Sequence, residues 1–373
     1  MTAGDSALGN EAWPELTLAD WQETKETLHL WTQVVGKLRL ALEPMINHWW
    51  QVPLYVSVRG LTTSLVHAGG QGVEIEFDFS EHVLRLDTTD GGHRRVPLAA
   101  RSVATFYCEV VSAANDLGID ATIIGRPVEI PSAIPFAQDE EHRSYDPGAA
   151  RRFWQALVHA DRVLRHFRAG YIGKASPVHF FWGPFDLATS RFSGRPAPRH
   201  PGGVPNCPDR VQQLAYSHEL SSCGFWPGGS SEGSFYAYAY PTPDGFSDWP
   251  VAAPAYFDEE LGEFLLPYAA VRAADDPMPW CRPSCSPPTR RRPTCPAGTE
   301  PLSRPIGERR SRRSTRCANG APLHRRRRRN ARPADLQDRT KPARPGPHRG
   351  PRSPGRARHR RQFGASCAPP SRG

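Results

Sequence analysis

The residues from 186 to 227 contain the densest group of side chains that could do chemistry. Arginines, histidines, carboxylates and a tryptophan occur there among Gly, Ser and Pro: Asp186, Arg191, Arg195, His200, His218, Glu219 and Trp226. Small hinge residues beside a few polar and aromatic groups are typical of a ligand pocket. Because long structureless segments are uncommon in compact domains unless they are functional or disordered, we expect an ordered, site-forming loop here.

Three interpretations of this group are open. His218 with Asp186 would form a general-base pair that activates water or Ser217. His200, His218 and Glu219 would form a two-histidine, one-carboxylate metal site, which is the weaker candidate because adjacent residues of a strand point to opposite sides. In the third interpretation these side chains only order the loops through hydrogen bonds. We assign no metal and no cofactor from this pattern.

Two further sets of polar residues are candidates for ligand binding. His29, Gln33 and Lys37 recur at four-residue steps and share one face of a predicted helix, either as a partly buried polar wall or as a solvated face. Tyr55 and Arg59 alternate with apolar residues on a predicted strand, so they point to the same side. An arginine in that setting needs a carboxylate or an anionic ligand, and an internal ion pair is the simpler reading.

Common catalytic signatures do not extend this list. The chain has no His-Glu-x-x-His, no P-loop and no Gly-x-Gly-x-x-Gly after a predicted strand. Zincin, P-loop nucleotide and dinucleotide chemistries are therefore unsupported.

The elements that position these residues are predicted from hydrophobic periodicity. Helices are predicted from Thr17 to just before Pro44, at 99–117 and at 148–169. Strands are predicted at 52–63, 73–79, 82–87, 94–98, 121–130, 178–189, 234–240, 255–257 and 264–267. Short strands joined by tight turns indicate an α+β fold with antiparallel sheet.

One order of elements recurs along the chain. In each half a helix leads to a Trp-Pro-apolar strand, then to a Phe-Asp hairpin (Phe77-Asp78 and Phe257-Asp258), then to a helix. This order predicts two similar lobes, about 13–135 and 147–277, from an internal duplication with a cleft between them. The alternative is that these short apolar segments are similar by chance.

The composition changes abruptly after Pro277. Residues 278–373 hold 26 of the 47 Lys+Arg and 4 of the 38 Asp+Glu, which leaves 47 − 26 = 21 bases and 38 − 4 = 34 acids before them. The whole chain has a net charge of +9, but residues 1–277 alone have a net charge of 21 − 34 = −13. A genuine disordered basic tail would give this pattern, as would a GC-rich gene read out of frame. Back-translation favours the second explanation, because a shifted frame can encode an amphipathic helix that ends in Gly-Trp.

The body itself is predicted to be a cytoplasmic protein. Residues 1–12 are polar and acidic, unlike a signal peptide, and are expected to be disordered. No apolar run approaches the roughly 20 residues needed to span a bilayer. Three cysteines, an odd number, fit a reducing compartment, and the acidic charge argues against nucleic acid as a partner. The oligomeric state is not predicted.

Several segments together resemble a bacterial family of proteins of unknown function, domain of unknown function family 5996. The resemblance lies in 28–37, 47–50, 52–57 with 59–63, 179–183 with 185–188, 200–206 and 216–219. It covers about residues 13–277 and implies a closing helix after Pro277, where this chain departs from the family. It implies no catalytic residue.

These observations predict a cleft near the first helix and the loops of 193–233 that binds a small anionic molecule and acts on it. Arg59, Arg191 and Arg195 would hold the anion. The alternative is a non-catalytic interaction protein whose aromatic residues are core and whose loops meet a partner.

Overall fold

A computed structural model describes residues 13–274, and all of them belong to one compact unit. Within this range the chain forms five helices and two antiparallel sheets, so the predicted α+β class is confirmed. The predictions for residues 1–12, for the basic tail 278–373 and for its shifted reading frame lie outside the described residues.

The three long helices agree with the hydrophobic periodicity. The helices are α1 (Leu18–Leu42), α2 (Val103–Asp116), α3 (Pro147–Ala169), α4 (Asp209–Ala215) and α5 (Tyr268–Ala273). Ser102 and Asp146 cap α2 and α3 through their side-chain oxygens. Thr17 precedes α1 as predicted, but its hydroxyl donates to Glu15 and makes no capping bond.

Helix α1 packs against both other long helices, α2 and α3. Its Trp31 stacks on Phe106 of α2, with ring centroids 4.4 Å apart, and its Trp21 stacks on Phe153 of α3 at 5.2 Å. Every side chain from residue 30 to residue 39 is buried. The solvated-face interpretation of the polar stripe on this helix is therefore wrong, because its polar residues point into the protein.

The first sheet follows α1. Its strands are β1 (Tyr55–Val56), β2 (Gly60–Thr62), β3 (Val66–Ala68), β4 (Gln71–Asp78), β5 (Val83–Thr88) and β6 (His93–Pro97), in the order β1-β2-β4-β5-β6 with β3 also paired to β4. The single strand predicted at 52–63 is divided by a turn. Ser57 causes this division, since its hydroxyl accepts hydrogen bonds from the N–H groups of Arg59 and Gly60.

The second sheet follows α3. Its strands are β7 (His179–Phe181), β8 (Asp186–Pro196), β9 (His218–Trp226), β10 (Ser234–Tyr240), β11 (Tyr256–Asp258) and β12 (Glu263–Pro267), in the order β11-β12-β10-β9-β8-β7. A turn at 182–185 divides the strand predicted at 178–189. The section 193–233, expected to be one long loop, instead contains the end of β8, helix α4 and strand β9. Residues 197–217 connect β8 to β9, and the shorter segment 227–233 connects β9 to β10.

The two sheets meet edge to edge. Leu54 and Phe180 exchange backbone hydrogen bonds of 2.9 and 2.8 Å, which join the β1 edge to the β7 edge. Both Phe-Asp hairpins contain an aspartate, Asp78 or Asp258, whose Oδ1 accepts two backbone N–H groups. Their hairpins occupy different places in the strand order, however, so the internal duplication remains a prediction.

Two further expectations concern cell location. No helix within residues 13–274 is long and apolar enough to cross a bilayer. Cys207 carries a free thiol.

Candidate functional site

One face of the second sheet is polar and the other is core. Leu187, Phe225, Phe235 and Leu266 pair across the strands and face the hydrophobic core. Residues one position along face the opposite side, since side chains alternate along a strand. This polar face contains Asp186, Ala188, Ser190, Ser222, Gly224, Tyr236, Tyr238 and Glu263.

Asp186 and Tyr236 form the centre of the polar face. Tyr236 donates its hydroxyl hydrogen to Oδ2 of Asp186, whereas Oδ1 is buried and has no hydrogen-bond partner. Burial, aided by the charge of Glu129, raises the pKa of Asp186 to about 7. Gly224 makes the arrangement fit, because a Cβ there would lie 2.2 Å from the Tyr236 ring.

Two more tyrosines extend this centre. The hydroxyl groups of Tyr216 and Tyr238 are 2.8 Å apart. Burial raises the pKa of Tyr216 to about 12, and the charges of Asp186, Glu263 and Glu129 act in the same direction. Tyr216, Tyr236 and Tyr238 nevertheless keep partial solvent exposure. These three side chains are therefore packed against protein and still reached by solvent.

Glu129 contributes a second carboxyl from outside the sheet. Its side chain lies against the turn that follows β7, where Oε1 would be 2.4 Å from a Cβ on Gly183. Its backbone has a φ of 62° and its N–H donates to the carbonyl of Pro205 at 2.8 Å. Burial raises the pKa of Glu129 to about 7.

Glu263 supplies the third carboxyl, one residue before Phe264 of β12, which pairs with Ala237 of β10. Burial, followed by the charges of Asp186 and Asp258, raises its pKa to about 7. None of these three carboxyls forms a salt bridge with any residue of 13–274. We call the surface formed by Glu129, Asp186, Glu263, Tyr216, Tyr236 and Tyr238 the tyrosine–carboxyl cleft.

The connection 197–217 lies over this cleft. Its ends are tied by a hydrogen bond of 3.0 Å from the N–H of Ala197 to the carbonyl of Ser217. None of its side chains is fully buried. Near the C-terminal end of this connection, Nδ1 of His48 lies 3.0 Å from the carbonyl oxygen of Ala215. This hydrogen bond fixes the position of the next residue, Tyr216. A segment with so few buried contacts is expected to open more readily than the sheet beneath it.

The polar stripe of α1 reaches the rim of the cleft. His29 donates from Nε2 to the carbonyl of Gly183 at 2.8 Å, and burial lowers its pKa to about 4. Gln33 holds the backbone of Val128 with two bonds, of 3.0 Å to the carbonyl and 2.9 Å from the N–H. These two predicted ligand residues therefore position the segments that carry Gly183 and Glu129.

The three arginines expected to hold an anion do not come together. Arg59 pairs with Glu76 at 2.6 Å in the first sheet, which is the ion-pair reading. Arg195 pairs with Glu219 and is exposed. Arg191 points to the core-facing side of the second sheet, where its guanidinium lies 3.4 Å from the centroid of the Phe167 ring.

The two aromatic candidates also lie away from the carboxyls. Tyr55 stands between His179, at a ring distance of 5.6 Å, and the guanidinium of Arg39, at 5.2 Å. Trp226 is folded over Gly229 at the end of β9. Neither touches Asp186 or its tyrosine partner.

The predicted pair of His218 with Asp186 is not formed. Asp186 begins β8, whereas His218 pairs with Pro196 at the opposite end of that strand, roughly 30 Å away at the rise of an extended chain. His218 instead lies beside the hydroxyl of Ser217, 3.1 Å from it.

The weak metal candidates are similarly dispersed. His200 stacks on Tyr216 at 4.8 Å, and Glu219 is engaged by Arg195. No group of three His, Cys, Asp or Glu side chains within residues 13–274 could hold a metal ion. Within residues 13–274, His200, His218 and Glu219 do not come together as a set of three ligands.

Sequence reasoning overlooked most of the cleft. Tyr236, Tyr238, Glu129 and Glu263 were not predicted as site residues. A signal for two of them exists, because Tyr236, Tyr238 and Tyr240 alternate with alanines along one strand. Such a period places three tyrosines on one face, and small residues between them leave the other face able to pack.

Comparison with known proteins supplies a family. The model of a family of unknown function (DUF5996) matches residues 13–280, in agreement with the resemblance found in the sequence. Neither the curated proteins nor the solved structures contain a match to this chain.

Proposed function

We propose that this chain, which belongs to the family of unknown function DUF5996, binds a small molecule carrying a protonated amine in the tyrosine–carboxyl cleft. The sequence predicted a small ligand but an anionic one. The carboxyls around Asp186 favour the opposite charge.

The observation that carries this proposal is the missing counter-charge. Glu129 acts electrostatically on Asp186, Asp186 acts on Glu263, and none of the three has a cationic partner among the described residues. Buried carboxylates are normally paired, because an unpaired buried charge is costly. Oδ1 of Asp186 also lacks any hydrogen-bond partner. An ammonium group would supply both the charge and the missing donor.

The aromatic lining supports the same ligand class. Tyr236 and Tyr238 stack with centroids 6.1 Å apart, and Tyr216 and Tyr240 meet edge to face at 5.1 Å. Faces of aromatic rings attract cations through their quadrupole. An anion would meet up to three ionised carboxylates above pH 7, which disfavours the predicted anionic ligand at this place.

Three four-carbon probes with different ends test the proposal: butane-1,4-diamine, butane-1,4-diol and butanedioate. We expect only the diamine to bind in isothermal titration calorimetry at pH 8, where carboxyls with a pKa of about 7 are ionised. Binding should weaken below pH 7 as they take up protons, by up to about tenfold per pH unit for each titrating group. Protons should be released on binding near pH 7.

Asp186→Asn should weaken diamine binding by about tenfold, a value typical of one lost charged hydrogen bond. Asp116→Asn is the matched control, because that exposed carboxylate pairs with Arg94 away from the cleft. If butanedioate were the only probe to bind, the anionic ligand predicted from the sequence would be favoured and the proposal would be overturned. Absence of binding by all three probes would favour the non-catalytic interaction protein.

A further inference from the structure

Lys37 is the one member of the α1 polar stripe that holds nothing in place. Its side chain is only 5% exposed, and within residues 13–274 it makes no hydrogen bond or salt bridge. The ammonium nitrogen lies 5.8 Å from the centroid of the Trp182 ring. That nitrogen is not among the fully buried unpartnered polar atoms of the described chain, so part of the remaining exposure is at the tip.

The surroundings of Lys37 are those of a reactive amine. Burial lowers its pKa to about 8. The thiol of Cys207 interacts electrostatically with the amine of Lys37. The indole of Trp182 lies against the amine and keeps water from that side of it. A desolvated lysine is the nucleophile that imine formation requires.

We propose that Lys37 is a carbonyl-capturing amine, and that small aldehydes or ketones form an imine with it at the rim of the cleft. This inference goes beyond the proposed function, since binding of an amine by the carboxyls does not need Lys37. The ligand class is set by the amine, and an aromatic or apolar substituent would lie against the indole.

The reaction balances without an oxidant or reductant. The lone pair of Nζ attacks the carbonyl carbon, and the C=O π electrons move to oxygen, giving a carbinolamine. The C–O bond then breaks as the C=N bond forms, and the oxygen leaves as water with the two protons that nitrogen has lost. Because the tip of Lys37 is partly exposed, solvent water can carry the protons to the departing oxygen.

The two other lysines of residues 13–274 serve as internal comparisons. Lys174 donates to Nε2 of His48 at 3.0 Å, so its amine is engaged. Lys25 has a pKa lowered by burial, as Lys37 has, but lies beside Gly228 away from Trp182 and Cys207. A lysine that is merely buried should behave like Lys25.

The test is reductive trapping on the full chain with benzaldehyde and cyanoborohydride at pH 7.5, followed by peptide mass spectrometry. Cyanoborohydride delivers a hydride to the imine carbon, which leaves one benzyl group on each captured lysine. We expect Lys37 to be labelled at least about tenfold faster than Lys25 and Lys174, because a pKa of about 8 leaves a substantial fraction of its amine unprotonated at pH 7.5. Its labelling rate should rise with pH to a plateau above a midpoint near 8, the pKa of the amine.

Two controls keep the outcome decisive. In urea the selectivity for Lys37 should disappear, and Lys37→Arg should remove the fast-reacting site while it keeps a positive charge. Equal labelling of all three lysines in the folded chain, or labelling of Lys37 only after unfolding, would overturn the proposal. Either result would leave diamine binding untouched, so the two proposals can fail separately.

Discussion

The carboxyls of the two sheets differ in what surrounds them. In the first sheet Glu76 and Asp78 are buried, but Arg59 lies 2.6 Å from Glu76 and 3.5 Å from Asp78, and Arg85 lies 3.7 Å from Asp78. In the second sheet Asp186 is buried to a similar degree beside a tyrosine, with no guanidinium or ammonium paired to it.

This difference is the basis of the proposed function. Burial by itself makes a carboxylate costly, and the cost is offset where the fold supplies a cation. Where the fold supplies none, the carboxyl keeps a raised pKa and remains available to a ligand. The buried carboxyls of the first sheet are paired within residues 13–274, and the unpaired carboxyls of the second sheet support the proposed ligand.

Removing the cation from the first sheet should have the largest effect. Arg59→Met leaves Glu76 and Asp78 buried with only Arg85 nearby, so we expect a loss of about 2–3 kcal/mol in the free energy of unfolding. Urea denaturation measures it. Arg94→Met, which breaks an exposed pair with Asp116, is the control and should change stability by at most about 0.5 kcal/mol. Equal effects of the two variants would remove the distinction between buried and exposed pairs.

Neutralising a carboxyl in the second sheet should increase the free energy of unfolding, whereas removing Arg59 from the first sheet should decrease it. The pKa of Asp186 is about 7 in the folded state and about 4 in the unfolded chain. Its contribution to stability is therefore fully present below pH 4 and is lost as the pH rises through 7. Asp186→Asn has no such group to titrate. The difference in the free energy of unfolding between this variant and the wild type should therefore shift by about 2 kcal/mol in favour of the variant as the pH rises from 5 to 8.

The matched variant in the first sheet is Asp78→Asn, which should destabilise the protein, because it removes a carboxylate that two arginines share. Denaturation curves at pH 5 and pH 8 give all the values. An Asp186→Asn variant that loses stability relative to the wild type as the pH rises would contradict the raised pKa.

The smallest effect concerns the lining of the cleft. Tyr216→Phe keeps the ring and removes the hydroxyl that meets Tyr238, so diamine binding should weaken by about 1 kcal/mol, or fivefold, in calorimetry. Tyr240→Phe is the control, because its hydroxyl donates to the carbonyl of Pro198 away from the carboxyls. An equal loss in both variants would mean that the connection 197–217, and not the cleft, had been perturbed.

The sequence was a good guide to elements that are defined by local periodicity. The long helices and β10 lie where the apolar patterns place them. The segment 121–130 was predicted as a strand and forms none. Its backbone at Val128 is paired by the side chain of Gln33, 95 residues away. A partner so distant leaves no trace in a local pattern.

The site was predictable only in part for the same reason. Asp186 was identified as chemically important, yet its partner is Tyr236, 50 residues further along, and not His218. Arg59 was correctly seen to need a carboxylate, and the sequence could not tell whether the chain or a ligand would supply it. A charged residue in an apolar sequence pattern predicts that a partner exists, and only the folded structure identifies that partner.

The hydrogen bond between Ala197 and Ser217 makes the connection 197–217 separable from the sheet that bears it. Because entry and exit lie side by side, residues 198–216 can be lengthened, shortened or replaced while β8 and β9 keep their register. A single exchange of this module would change Tyr216 and Cys207 together. Under the proposed function, changes of sequence within 198–216 would therefore alter ligand selectivity without changes in the hydrophobic core.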